Sequence, residues 1–274
     1  MKLIQSRDNP FFKELIKLSG SARQRGKTNQ TLLDGVHLLA ACLDAGRLPQ
    51  HVLLNASALH DAEIAALLER LDGVPLTQLD DKLFAELSEL KTPTGILALI
   101  DLPQPDAGVA QSRFALLLED IQDPGNLGSM LRSAAAAGCD AVFLSPGCAD
   151  AWSPKVLRAA MGGHFVLHIH EQQDLQSVAN AFAGTLLAAS LHATRSLYEC
   201  DLSGNIAFMI GNEGAGLSEN LLSLATQQMI IPMPGKVESL NAAAATAVCL
   251  FEAVRQRHKS EKLGCPQIMQ ISAD

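Results

Sequence analysis

The chain has 274 residues, 48% of them hydrophobic and 18% charged, and 21 Lys and Arg against 29 Asp and Glu leave a formal net charge of −8. At roughly 150 residues per domain, this length leaves room for one large or two modest cores, and the ordinary apolar share excludes low-complexity disorder. The acidic balance excludes a protein that holds nucleic acid by bulk attraction, because such proteins are basic.

The charge is unevenly spread. Residues 1–30 carry seven basic side chains (Lys2, Arg7, Lys13, Lys17, Arg23, Arg25, Lys27) against Asp8 and Glu14, a net of +5 that leaves −13 for the rest. A basic N-terminal arm on an acidic body suits local contact with a polyanion, and a solvated helix face is the plainer alternative. From 31 to 100, segments 35–45 and 61–71 repeat apolar residues at helical spacing, while 51–54, 74–77 and 95–100 read as short strands. This predicts a small α/β domain over 1–100. Two prolines in 101–106 then break the pattern, and 101–112 is assigned as a linker.

After it, the continuous apolar runs 114–118, 141–144, 165–169, 186–191, 206–210 and 229–233 suit strands buried on both faces of a parallel sheet. Helical segments 127–137, 154–161, 173–182, 217–224 and 240–257 separate them, so 113–258 is predicted to be a second α/β domain, followed by a tail over 259–274. No run of roughly 18 apolar residues predicts a membrane span, and the first ten residues lack the apolar stretch of a signal peptide. The six cysteines (Cys42, Cys139, Cys148, Cys200, Cys249, Cys265) form no C-x-x-C and read as reduced thiols of a cytoplasmic protein.

Ligands of open α/β sheets gather at the carboxyl ends of strands, and three such ends carry unusual loops. The first runs from Glu119 through Asp123-Pro124-Gly125-Asn126-Leu127-Gly128 to Arg132. Pro124-Gly125 is a turn signal, and Asn126 is expected to cap the next helix. The second is Gly211-Asn212-Glu213-Gly214-Ala215-Gly216-Leu217-Ser218, whose glycines admit backbone angles closed to other residues. It lacks the Lys-Ser/Thr ending of a phosphate loop and the spacing of a dinucleotide loop. The third is Ile231-Pro232-Met233-Pro234 through Ser239-Leu240-Asn241, where Ser239 or Asn241 can cap a helix whose small residues imply close packing. His164, His168 and His170 share strand parity and could face one way as metal ligands do, but no acidic or Cys partner is spaced with them, and no metal is expected.

In order and spacing these loops resemble the three motifs of the SpoU (TrmH-type) RNA ribose 2′-O-methyltransferases of the SPOUT superfamily. The resemblance covers the second domain and extends more weakly into the first, which is similar to the substrate-binding domain that precedes many catalytic domains of the family. Departures are small: Asp34-Gly35 for Glu-Gly, Ala160 for Ser, and Ala242-Ala243 for Val-Ser. The resemblance implies a parallel sheet with a deep trefoil knot, S-adenosylmethionine bent within the knot, and homodimers formed through the catalytic domain. It assigns Gly211, Ile231 and Leu240 to the cofactor, with Asn212 and Pro232 as neighbours. Asn126, Arg132, Glu213, Ser239 and Asn241 match the family's polar catalytic site.

Arg132 is often given the base role there. Because Arg is effectively always protonated, a phosphate-assisted relay or a phosphate clamp that stabilises the alkoxide are the alternatives. Glu213 would orient Arg132 or Asn126. Arg23, Arg25, Lys27 and Arg158 are the expected RNA contacts. The additional domain favours ribosomal over transfer RNA. A transfer-RNA enzyme, an inert RNA-binding or ribosome-assembly factor on the same fold, and a small-molecule methyltransferase are the competing readings.

Overall fold

The computed structural model describes residues 1–90, 92–105 and 107–260. The expected basic arm is folded: β1 (Lys2–Ile4), α1 (Pro10–Gly20) and α2 (Ala22–Thr28) occupy it. Asn9 starts α1, its Oδ1 accepting from the N–H groups of Phe11 and Phe12, with Pro10 in the first turn where its missing N–H costs nothing. Phe12, Leu15 and Leu18 then recur on one buried face.

The first sheet adds β2 (Gln30–Asp34), β3 (His51–Leu54), β4 (Leu76–Leu79) and β5 (Ile96–Asp101), with α3 (Val36–Asp44), α4 (Ala62–Leu68) and α5 (Asp81–Leu87) between them. Its order is β1-β4-β3-β5-β2, parallel except for β5, which runs antiparallel to both neighbours. Strand alternation sorts the two faces. Leu53, Leu97 and Leu99 pack with α1 and α5, while Val52, Leu54, Ile96 and Ala98 pack with α3 and α4. The proline-rich connection that follows contains a short 3-10 turn at Val109–Gln111.

The second sheet is built from β6 (Phe114–Leu118), α6 (Pro124–Ala137), β7 (Ala141–Leu144), α7 (Pro154–Ala160), β8 (His168–His170), α8 (Leu175–Ala181), β9 (Thr185–Ala189), β10 (Ile206–Ile210), α9 (Glu219–Leu224), β11 (Gln227–Met229) and α10 (Ala242–Ser260). All its pairings are parallel, in the order β11-β9-β10-β6-β7-β8. Helices α8 and α9 cover one face through Leu175, Val178 and Leu221, and α6, α7 and α10 cover the other through Leu131, Leu157 and Leu250. Gly128 permits the α6–α7 contact, since a Cβ there would lie 2.8 Å from the Val156 carbonyl and overlap Ala159.

Two expected strands are corrected. Residues 165–169 begin instead in a 3-10 turn (Gly163–Phe165), because Met161 at φ 47° and Gly162 at φ 88° redirect the chain after α7. Residues 229–233 pair in the sheet only as far as Met229, apart from an Ile230–Ser196 bridge; Pro232 and Pro234 follow. Helix α10 runs two residues into the expected tail. The rest of the tail, with Cys265, lies outside the described residues. Among the described residues no helix is long and apolar enough to cross a membrane.

The two sheets share one core. Leu33, Leu39 and Leu54 of the first belong to the same buried cluster as Leu116, Leu131 and Leu157 of the second. Polar ties reinforce the junction: the Thr31 hydroxyl donates to the Trp152 carbonyl at 2.9 Å. Arg25 is a second tie rather than an RNA contact. It is 5% exposed and donates to the carbonyls of Leu18 and Ser19 at 2.7 and 2.8 Å and to Asp150 Oδ2.

Candidate functional site

The carboxyl ends of β9, β10 and β11 open into a cleft of about 290 Å³. Its apolar wall includes Ile210, Leu217, Met229 and Ile231, and its polar lining includes Ser190, His192, Glu213 and Ser239. Gly211, Asn212 and Leu240 also line it, whereas Pro232 does not. The loop after β9 was missed from sequence. The strand-end rule that located the other loops would have found it, but Ser190-Leu191-His192 carries no glycine or carboxylate signal.

The glycine loop is self-supporting. A Cβ on Gly211 would collide with the Gly216 carbonyl and the Leu217 nitrogen, so the loop closes onto its own first residue. Gly216 itself sits at φ 70°, where L side chains are strained. Asn212 knits the turn: its Oδ1 accepts from the N–H groups of Gly214 and Ala215 at 2.8 and 3.1 Å, and its Nδ2 donates to the Asp120 carbonyl at 3.0 Å. That fixes Glu213 at the mouth of the cleft.

The three loops meet through side chains. Asp123, not Asn126, caps α6: Asp123 Oδ1 accepts from the Asn126 N–H at 2.7 Å, and Pro124 fills the first helical position. This correction has a consequence, because it frees the Asn126 amide. Asn126 Nδ2 donates to Glu213 Oε1 at 2.5 Å, and Asn126 Oδ1 accepts from Asn241 Nδ2 at 2.9 Å. Asn241 is the cap of α10, its Oδ1 accepting from Ala243 and Ala244 N–H at 2.9 and 3.2 Å. The helix end therefore sets which way the Asn241 amide points, and that sets Asn126 in turn. Glu213 closes the chain as an acceptor, so it orients Asn126 rather than Arg132.

Arg132 stands apart. It lies on α6 six residues beyond Asn126, about 120° further around the helix at 100° per residue. It is exposed, and among the described residues it makes no hydrogen bond or ion pair. Ser239 is exposed on the cleft wall. Arg23 and Lys27 lie exposed on α2, while Arg158 at the end of α7 approaches Glu89 at 3.9 Å.

Local structure separates His164 from His168 and His170, which share β8. His164 is 1% exposed in the 3-10 turn, its ring nitrogen 2.6 Å from the Ala151 carbonyl, and burial pushes its pKa down to about 4. His170 stacks on Phe143 with ring centroids 4.6 Å apart. Among the described residues no group of three His, Cys, Asp or Glu could hold a metal.

This geometry finds close relatives. Residues 113–251 match the model of the SpoU rRNA methylase family, and residues 9–98 match an MRM3-like substrate-binding domain. The chain belongs to the SpoU rRNA methylase family. It is 36% identical to an uncharacterised tRNA/rRNA methyltransferase of Synechocystis, over 93% of this chain and 94% of that one. It is 34% identical to the 23S rRNA (guanosine(2553)-2′-O)-methyltransferase RlmP of Bacillus subtilis, over 92% of this chain and 98% of the relative. The SpoU methyltransferase AviRb of Streptomyces viridochromogenes, solved in complex with AdoMet, superposes with a TM-score of 0.79 at 26% identity, covering 92% of this chain and all of AviRb.

As a SpoU enzyme the protein uses S-adenosylmethionine, and the cleft suits it. Apolar strand ends offer a wall for an adenine, while Glu213 offers a negative charge to a sulfonium.

Proposed function

We propose that this enzyme, an S-adenosylmethionine-dependent RNA ribose 2′-O-methyltransferase, modifies ribosomal RNA, and that Glu213, Asn126 and Asn241 place the reacting ribose against the methyl donor. The observation that carries this is the directional hydrogen-bond chain from the cap of α10 through Asn241 and Asn126 to Glu213, at the mouth of the cleft. S-adenosylmethionine supplies an activated methyl group, so the protein's task is alignment and removal of the hydroxyl proton.

Gly211, Asn212, Ile231 and Leu240 hold the cofactor, and Pro232 stiffens the strand end between Ile231 and Met233, which both line the cleft. Glu213 keeps acceptor capacity beyond its bond from Asn126 and holds the ribose hydroxyl. Ser239, on the same wall, hydrogen-bonds the substrate. Arg132, permanently cationic and without a hydrogen-bond or ion-pair partner among the described residues, clamps a phosphate and stabilises the alkoxide that develops as the proton leaves.

The name of the Bacillus relative supports ribosomal RNA as substrate, held by the 1–100 domain through Arg23 and Lys27. A homodimer through the catalytic domain is supported by exposed apolar residues in the C-terminal part of that domain: Val237, Leu240 and Phe251 are 62%, 38% and 47% exposed. The chain path supports a knot. The loop between β9 and β10 bonds to the C-terminal segment at two points in its middle: Leu197 N–H donates to the Ile230 carbonyl at 2.8 Å, and Gln256 Nε2 donates to the Cys200 carbonyl at 3.1 Å. The free thiols Cys42, Cys139, Cys148, Cys200 and Cys249 support a cytoplasmic setting. Transfer of labelled methyl from S-adenosylmethionine to an unmodified 23S rRNA transcript tests the activity.

A further inference from the structure

The junction between the two units holds a charge arrangement that the methyl-transfer site does not use. Arg158, in the last turn of α7, faces the first unit with its side chain 43% exposed. Its one ion-pair partner among the described residues is Glu89, 3.9 Å away and outside hydrogen-bonding distance. Asp34, at the end of β2, is the second carboxylate acting on it. Asp34 Oδ2 accepts from the Ser88 hydroxyl at 2.8 Å. Burial holds the Asp34 pKa above its ordinary value, and the Arg158 charge works against that rise.

Three features make Arg158 more than a surface pair. Its guanidinium carries five N–H donors, and none is engaged in a protein hydrogen bond among the described residues. A long, half-exposed Arg–Glu pair contributes little and exchanges easily for a better anion. The chain leaving α7 also packs directly on α6 at Arg132: a Cβ on Gly163 would lie 3.2 Å from the Leu131 carbonyl and 3.6 Å from Arg132 Cα. The segment that follows Arg158 therefore abuts the helix that carries Arg132.

We propose that Arg158 is a phosphodiester clamp at the domain junction, held in check by Glu89, and that an RNA backbone phosphate displaces Glu89 to take a bidentate place on the guanidinium. This rests on the reading of the protein as an RNA methyltransferase. No bond is made or broken in this exchange.

The test is a set of salt titrations of binding to an unmodified 23S rRNA transcript, with wild type, Arg158→Ala, Glu89→Gln and the double variant. Arg158→Ala is expected to weaken binding and lower the salt slope by about 1. Glu89→Gln, at a half-exposed position with little leverage on the fold, is expected to tighten binding about threefold. The double variant is expected to match Arg158→Ala, because Glu89 acts only through Arg158. An unchanged salt slope in Arg158→Ala would overturn the proposal. So would an equal tightening by Glu89→Gln in the Arg158→Ala background, since Glu89 would then repel RNA directly. Methyl transfer by the wild-type chain to the same transcript reports separately on the functional reading.

Discussion

Asn241 donates through Nδ2 to Oδ1 of Asn126 at 2.9 Å, and in doing so it couples the start of α10 to the start of α6 across 115 residues of sequence. The bond matters because it is directional. The cap fixes the oxygen of Asn241 on α10, so only its NH₂ group can face Asn126, and only the NH₂ group of Asn126 can then face Glu213.

Asn126→Ala removes the middle of this chain without touching the cleft wall. It is expected to lower kcat by roughly 10²–10³, the scale of losing one preorganised donor, while the calorimetric Kd for S-adenosylmethionine stays within about threefold. Asn126→Asp puts a carboxylate against Glu213 and is expected to be at least as damaging. A kcat within a few-fold of wild type in both variants would remove the chain from the mechanism.

Arg132→Ala is expected to abolish methyl transfer with cofactor binding near normal. Because Arg132 points about 120° away from Asn126 on α6, it is expected to serve the site of the second copy. Mixing inactive Arg132→Ala and Glu213→Gln chains then rebuilds one intact site per mixed dimer, and about a quarter of wild-type activity should return. If each site draws both residues from one chain, mixing restores nothing.

Arg25 separates stability from RNA binding within one cationic segment. Arg25→Met leaves Asp150 and the Leu18 and Ser19 carbonyls without their donor, and about 3–5 kcal/mol of stability should be lost in urea unfolding. Arg23→Ala and Lys27→Ala are expected to change stability by less than about 0.5 kcal/mol, while each lowers the salt slope of RNA binding by up to about 1.

Glu171 gives the domain junction a pH dependence. Burial, with Asp150 close by, pushes its pKa up from 4.5 to about 7, although it accepts from the Ala151 N–H at 2.9 Å. Between pH 4.5 and 7 the folded chain therefore holds a proton that the unfolded chain has released. Its contribution is fully present below pH 4.5, is lost as pH rises through 7, and is flat above that, a total of up to about 3 kcal/mol. Glu171→Gln keeps an acceptor for Ala151 and is expected to remove this slope, so the variant should be more stable than wild type at pH 8. Equal stability of the two at pH 8 would count against a buried, titrating Glu171.

The centre of the catalytic sheet was legible because β6, β7, β9 and β10 are nearly unbroken apolar runs, whereas the edge strands β8 (His168-Ile169-His170) and β11 (Gln227-Gln228-Met229) are polar and were misplaced; the three strand-end loops stood out by their glycines, prolines and carboxylates. The first domain was only partly legible. β1 is three residues long, β2 begins and ends on polar residues, and α2 presents charged residues on its open face. Charge counting misjudged Arg25, because a sequence shows a cation but not the Asp150 that lies 125 residues away and buries it. Cap chemistry misplaced Asn126, because Asp123 is an equally good cap and lies one residue before Pro124. Gly128 was legible as a motif position but not as what it is, the contact that lets α7 pack on α6.

The most direct test locates the methyl group. Wild-type chain, labelled S-adenosylmethionine and an unmodified 23S rRNA transcript are incubated, and the RNA is hydrolysed in alkali, which cannot cleave next to a methylated 2′-hydroxyl. Label is expected in one alkali-resistant dinucleotide, and it should be lost with Asn126→Ala. Label in alkali-released mononucleotides, or no transfer at all, would contradict ribose methylation by this site.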